Sequence, residues 1–328
     1  MDPATRHRLL EGLTGRLRST YVFPKVGDAM ASAIERRAKR GEYDRIQGGE
    51  ALAESLTSHL RAVSHDTHVE VHYSPSPLPP MNEAEPRPET PAELEARRQD
   101  LAWANNGFAK VERLPGNLGL LDVDSFVDPA IGGDTAVAAM AFLSNCDALI
   151  VDLRYCPGGD GRMVALLCSY FADDQVHLVD VYSRTENFTK QSWSAPYVPG
   201  KRLTRQKVYI LTSKRTHSAA EQFAFDLRNM KRATIVGETT RGGAHPVGRY
   251  RITENFGVQV PEGSAMDPVT KANWEGTGIR PDVEVPADSA LTKARVLALE
   301  SLVSQNQDPS RRPNLERALE ALRAGAAR

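Results

Sequence analysis

The sequence predicts a mixed α/β protein with a helical bundle at its N-terminus. Apolar residues recur at helical spacing through the first 64 positions. From about residue 106, strand-length apolar runs alternate with helical ones. Between these regions lies a proline-dense stretch that suits neither regular element.

Taken in order, Leu9, Leu10, Leu13, Leu17 and Tyr21 form the first helical stripe. Met30, Ala33 and Ile34 suggest a second, and Leu52, Leu56, Leu60 and Val63 a third. Proline removes a backbone donor, so Val22-Phe23-Pro24 separates the first two helices. Residues 68–73 alternate as a strand that opens on His68. Seven prolines then fall between Ser74 and Pro91, which marks a linker or flap. Strands are expected at 118–123, 148–153, 176–182, 208–211, 234–236 and 258–260, with helices at 135–142, 163–171 and 219–230. Such alternation favours a sheet with helices packed against it. Residues 291–303 and 315–322 read as closing helices.

The 328 residues allow two domains, and the formal net charge of -1 gives no footprint for nucleic acid or an anionic membrane. Three cysteines, Cys146, Cys156 and Cys168, have neither disulfide nor zinc spacing. The polar N-terminus lacks the apolar core of a signal peptide, and no run reaches membrane-spanning length. The expectation is a cytoplasmic protein without a metal or another cofactor.

Three segments could carry chemistry. Thr216 to Glu221 lies between a buried strand and a helix, where Ser218 could be held exposed beside backbone N–H groups able to stabilise an oxyanion. The same residues also read as a helix cap, through Ser218 or Thr216. The second segment is Val151 to Asp160, a strand ending in Pro157-Gly158-Gly159. It can be half of an oxyanion hole or an ordinary turn, and it lacks the phosphate-loop pattern. The third, Trp274 to Asp282, offers Glu275 to orient a histidine, orient a water or make a salt bridge. A serine nucleophile needs a base. His68 follows Asp66-Thr67 at a strand start, and His65, His72, His217 and His245 are rivals.

In their order along the chain, these segments resemble the tail-specific (C-terminal processing) serine peptidases. The branch resembled is that of interphotoreceptor retinoid-binding protein, with the tricorn protease core more distant. The resemblance takes in Tyr21-Val22-Phe23-Pro24, Asp66-Thr67-His68, Leu114 to Asn117, Asp152-Leu153-Arg154 and Gly158-Gly159. It continues through Ser218 to Glu221, Arg232 to Gly243, Asn273 to Gly276 and Pro281-Asp282.

The resemblance implies a crotonase-like (ClpP-like) core of repeated β-β-α units. It implies Ser218 as nucleophile, with an oxyanion hole from Ala219 and from Gly158 or Gly159. The lysine of Ser/Lys members falls at Gly243, which cannot take up a proton. The tricorn-like alternative is a tetrad in which His68 is the base, Thr67 stands in for a serine, and Glu275 is the acid. The implied segments are a bundle at 1–73, a linker or flap at 74–104, a peptidase core at 105–290 and helices at 291–328. No insertion of PDZ size separates bundle from core. The implied substrate is a peptide or protein, and a homo-oligomer is compatible. The retinoid-binding relatives imply the alternative, a non-catalytic carrier of a retinoid or fatty acid.

Overall fold

Asp2 opens the first helix: its carboxylate accepts the Thr5 N–H at 2.9 Å, and Pro3 supplies the fixed φ of a first helical position. A computed structural model of the chain describes residues 2–79, 89–305 and 308–326. Helices α1 (Pro3–Thr20), α2 (Pro24–Lys39) and α3 (Gly49–Ser64) precede strand β1 (Glu70–Tyr73). After them come α4 (Pro91–Trp103), β2 (Phe108–Leu114), β3 (Leu118–Val123), α5 (Pro129–Leu143) and β4 (Ala148–Asp152). The middle of the chain holds α6 (Gly161–Ser169), β5 (His177–Ser183), β6 (Phe188–Trp193), β7 (Lys207–Thr212) and α7 (Ala219–Asn229). The remainder is β8 (Ala233–Gly237), β9 (Val247–Arg251), β10 (Phe256–Pro261), β11 (Gly263–Met266), β12 (Val283–Glu284), α8 (Ala287–Gln305) and α9 (Arg312–Ala326).

These elements sort into two compact units that interleave along the chain. One comprises Met1–Thr90, Asp180–Gln191 and Gly243–Gly276; the other comprises Pro91–Val179, Ser192–Gly242 and Thr277–Arg328. The sequence reads instead as consecutive segments, because local pattern does not reveal a strand pairing with a partner far along the chain. Residues 80–88, the middle of the stretch read as linker or flap, lie outside the described residues. The end of that stretch is the helix α4, which begins at Pro91, where a proline is tolerated.

In the first unit, the three N-terminal helices lie against the antiparallel sheet β1-β10-β9, with Glu70 opposite Gln259 and Gln259 opposite Arg249. Its core joins Leu9, Leu13, Leu17, Met30, Ile34, Leu56 and Leu60 to Val69, Val71, Val258 and Val260. Each such leucine contributes about 1.5–3 kcal/mol by leaving water.

The second unit is built on the sheet β12-β8-β7-β4-β3-β2. Only β2 pairs antiparallel within it. Every residue of β4 is buried, as a parallel strand covered on both faces requires. Ala290, Ala294 and Ala298 present one small-residue face of α8 to Leu118, Ile150, Tyr209 and Val236. Because β4 and β7 are parallel neighbours, their carboxyl ends open on the same sheet edge. That edge is where ligand-binding loops of α/β sheets gather.

Candidate active site

The loop after β7 ends at Ser218, the N-cap residue of α7, with φ 54° and ψ −122°. A non-glycine residue in that region costs about 1–3 kcal/mol and persists only when its surroundings impose it. Glu221 imposes it here. Its wholly buried carboxylate accepts the Ser218 N–H at 2.8 Å, the Gly242 N–H at 2.6 Å and the Thr240 hydroxyl at 2.5 Å. The glycine-rich segment after β8 is thereby tied to the serine turn. Thr216 does not cap the helix: its hydroxyl donates to Leu153 O at 2.8 Å and accepts the Ser213 N–H at 2.9 Å.

The loop after β4 meets this turn. Gly158, at φ 111°, is so close that a Cβ there would stand 2.7 Å from Ser218 Cβ and 2.9 Å from Ala219 N. Gly159, at φ 138°, would direct a Cβ into the Phe126 backbone at 2.1 Å. Both positions therefore require glycine. Ala219 is the first residue of α7, so its N–H has no partner within the helix. The turn thus gathers a half-buried hydroxyl-bearing residue and the backbone of the glycine pair. Nearby, burial pushes the Cys156 thiol up to about 12, so it stays protonated.

His68 sits in the other unit. His65 ends α3 in the left-handed conformation, and the chain turns through Asp66 and Thr67 into His68. Asp66 Oδ1 accepts the His68 N–H at 2.9 Å and lies 3.8 Å from its Nδ1. Arg61 holds the Thr67 carbonyl at 2.9 Å, and Gln259 donates to the His68 carbonyl at 3.0 Å. Glu275 completes a cluster: one donor atom each from Asp66, His68 and Glu275 lie within 4.8 Å of one another. Its loop is anchored by Trp274, whose ring N–H donates to Gly243 O at 2.8 Å.

Of the rival histidines, His72 lies in β1 with its ring over Gly257, and His217 uses its N–H on Cys156 O. His245 joins the cluster: its Nδ1 lies 2.7 Å from Asp66 Oδ2 and 3.4 Å from Glu275 Oε2. Tyr21 donates its hydroxyl to the same Asp66 oxygen at 3.1 Å. Burial and the Asp66 charge raise the Tyr21 hydroxyl far above its usual range, so it remains a donor.

Burial alone would raise Asp66. The His245 hydrogen bond and charge, the His68 N–H and the His68 charge outweigh it and hold the carboxyl below its ordinary value. A lowered native value means that the unfolded chain binds the proton more tightly. The Asp66 contribution to stability is therefore full above about pH 4 and is lost as pH falls through the native value. In denaturant titrations across that range, Asp66→Asn is expected to lose less stability on acidification than the wild type. An unchanged acid limb would contradict this.

The profile of peptidase family S41 matches residues 117–285, more than half of the chain. The chain belongs to peptidase family S41. It is a serine-type peptidase, a hydrolase acting on peptide or protein substrates. Residues 4–102 of this S41 peptidase match the N-terminal domain of peptidase S41 in eukaryotic IRBP. Among solved structures, it resembles mature CPAF at 12% identity and TM-score 0.58, covering 92% of this chain and 98% of that one. The photosystem II D1 C-terminal processing protease matches at 15% identity and TM-score 0.52, over 88% and 94%. The tricorn protease matches at 13% identity and TM-score 0.53, over 97% of this chain and 37% of its own. These likenesses establish the mixed α/β fold that the sequence predicts. Among the described residues, no helix is long and apolar enough to cross a membrane.

The sequence-predicted residues thus fall into two groups. Ser218, Ala219, Gly158 and Gly159 come together in one unit, and Thr67, His68 and Glu275 in the other. Sequence reasoning missed the roles of Glu221 and Tyr21, used Asp66 only as a landmark, and left His245 as a rival. The Ser-x-x-Glu spacing of a capping box signals the role of Glu221, and the short Asp66-Thr67-His68 spacing suits an Asx turn.

Proposed function

We propose that this S41 peptidase cleaves peptide bonds through a covalent acyl-enzyme on Ser218. His68 is the general base, Glu275 and Thr67 position it, and backbone N–H groups of Ala219 and the Gly158-Gly159 pair bind the oxyanion. The observation that carries the reading is the Ser218 backbone. A strained serine at a strand-to-helix turn, fixed by a buried carboxylate and flanked by a glycine in contact, is a nucleophile's setting rather than an ordinary cap.

The chemistry follows from the groups. Nδ1 of His68 faces Asp66, which leaves Nε2 to take the Ser218 proton as Oγ bonds to the scissile carbonyl carbon. The tetrahedral oxyanion is stabilised by the backbone donors, each worth roughly 2.7–4 kcal/mol in such reactions. As the C–N bond breaks, the protonated imidazole returns its proton to the leaving amine. Water, deprotonated by His68, then releases the acid product and regenerates Ser218.

Ser218→Ala removes the nucleophile without adding bulk. Its hydrolysis of a fluorogenic peptide library is expected to fall at least about 10³-fold with the melting temperature retained. Wild-type turnover in that variant would overturn Ser218 as the nucleophile.

A further inference from the structure

His245 has no part in the proposed tetrad, yet it is buried between the two carboxylates nearest His68. Its side chain is 4% exposed, Nδ1 is 2.7 Å from Asp66 Oδ2, and the same atom is 3.4 Å from Glu275 Oε2. The preceding residue takes the other acid: Ala244 N–H donates to Glu275 Oε2 at 2.5 Å. The Phe23 ring packs on the imidazole in a T-shaped contact, 5.5 Å between centroids.

Two carboxylates in a buried cluster repel one another, and a shared donor between them offsets this. Nδ1–H of His245 donates to Asp66 and stands 3.4 Å from Glu275, between the two. It is assigned the proton because a carboxylate at 2.7 Å can only accept. Asp66 in turn uses its other oxygen to hold the His68 backbone N–H. A chain of contacts therefore runs from the Ala244-His245 pair through Asp66 and Glu275 to His68.

We infer that Ala244 and His245 form a clamp on the two acids, and that His245 is a positioning residue for His68. The inference rests on the reading of His68 as the general base. His245 touches no reacting atom in this scheme. Its effect is on how often His68 is aimed correctly, so it belongs in kcat rather than KM.

The test compares steady-state kinetics of His245→Ala, His245→Asn, Tyr21→Phe and His68→Ala on one fluorogenic peptide, with melting temperatures recorded. His245→Ala is expected to lower kcat about 10- to 100-fold with KM within about threefold. The asparagine Nδ2 can occupy the place of Nδ1, so His245→Asn is expected to recover most of the loss. Tyr21→Phe keeps the ring but removes the second hydrogen bond to Asp66 Oδ2, and is expected to lower kcat several-fold even if His245→Ala does not fold. Wild-type kcat in His245→Ala beside an inactive His68→Ala would overturn the clamp alone. Failure of His245→Asn to restore any activity would also overturn it, by reducing His245 to packing. Wild-type turnover in His68→Ala would bring down the base assignment and this inference together.

Discussion

Glu221→Ala is expected to lose about 3–9 kcal/mol of stability and all detectable turnover. The deletion strands three donors at once: the Ser218 N–H, the Gly242 N–H and the Thr240 hydroxyl. Each buried donor left without a partner costs about 1–3 kcal/mol. That loss is a large fraction of the 5–15 kcal/mol that holds a typical domain together. The same carboxylate holds Ser218 at φ 54°, so without it the serine relaxes to an ordinary cap. Glu221→Gln separates the two effects. It keeps one acceptor oxygen but turns an NH2 group toward a donor, so a loss of roughly half that size is expected. Denaturant unfolding and peptide hydrolysis of both variants check this. Wild-type stability in Glu221→Ala would mean that the carboxylate is incidental.

Gly158→Ala is expected to cut turnover by a different route. The added methyl group would overlap Ser218 Cβ at 2.7 Å and Ala219 N at 2.9 Å, and φ 111° is closed to an alanine without strain. Either Ser218, the proposed nucleophile, or Ala219, the proposed oxyanion donor, must move. Loss of one such donor costs about 10²–10³ in kcat, and displacement of the nucleophile adds to it. The expected result is a drop of at least about 10²-fold in kcat in a protein that still folds. Near wild-type kcat would show that Gly158 is only a turn residue.

Much of this arrangement was legible in the sequence where physics is local. The buried run Ala148 to Leu153 and the strand before Ser218 declared themselves because a parallel strand covered on both faces reads as a near-continuous apolar run, with polar residues here only towards its ends. The helices α1 to α3 were legible from the spacing of Leu9, Leu13, Leu17, Leu56 and Leu60, which fill one core. Strand β2 was missed because its exposed residues, Ala109, Lys110 and Arg113, break the apolar run at a sheet edge. Strand β6 is more exposed still and reads as a polar loop.

The site was half legible. Ser218 and Gly158 lie in short local motifs, so a turn and its glycines could be read directly. His245 and Asp66 meet across 179 positions, and no periodicity announces such a contact. Glu221 lies within the same short motif, yet its grip on Gly242 depends on a return of the chain that only the folded sheet supplies.

In the proposed mechanism Ser218 is a nucleophile activated by His68. Labelling with a fluorophosphonate probe, followed by peptide mapping, tests it most directly across wild type, Ser218→Ala and His68→Ala. One modified peptide is expected in the wild type, carrying the adduct on Ser218, and none in either variant. Equal labelling in His68→Ala, or an adduct on another residue, would contradict it.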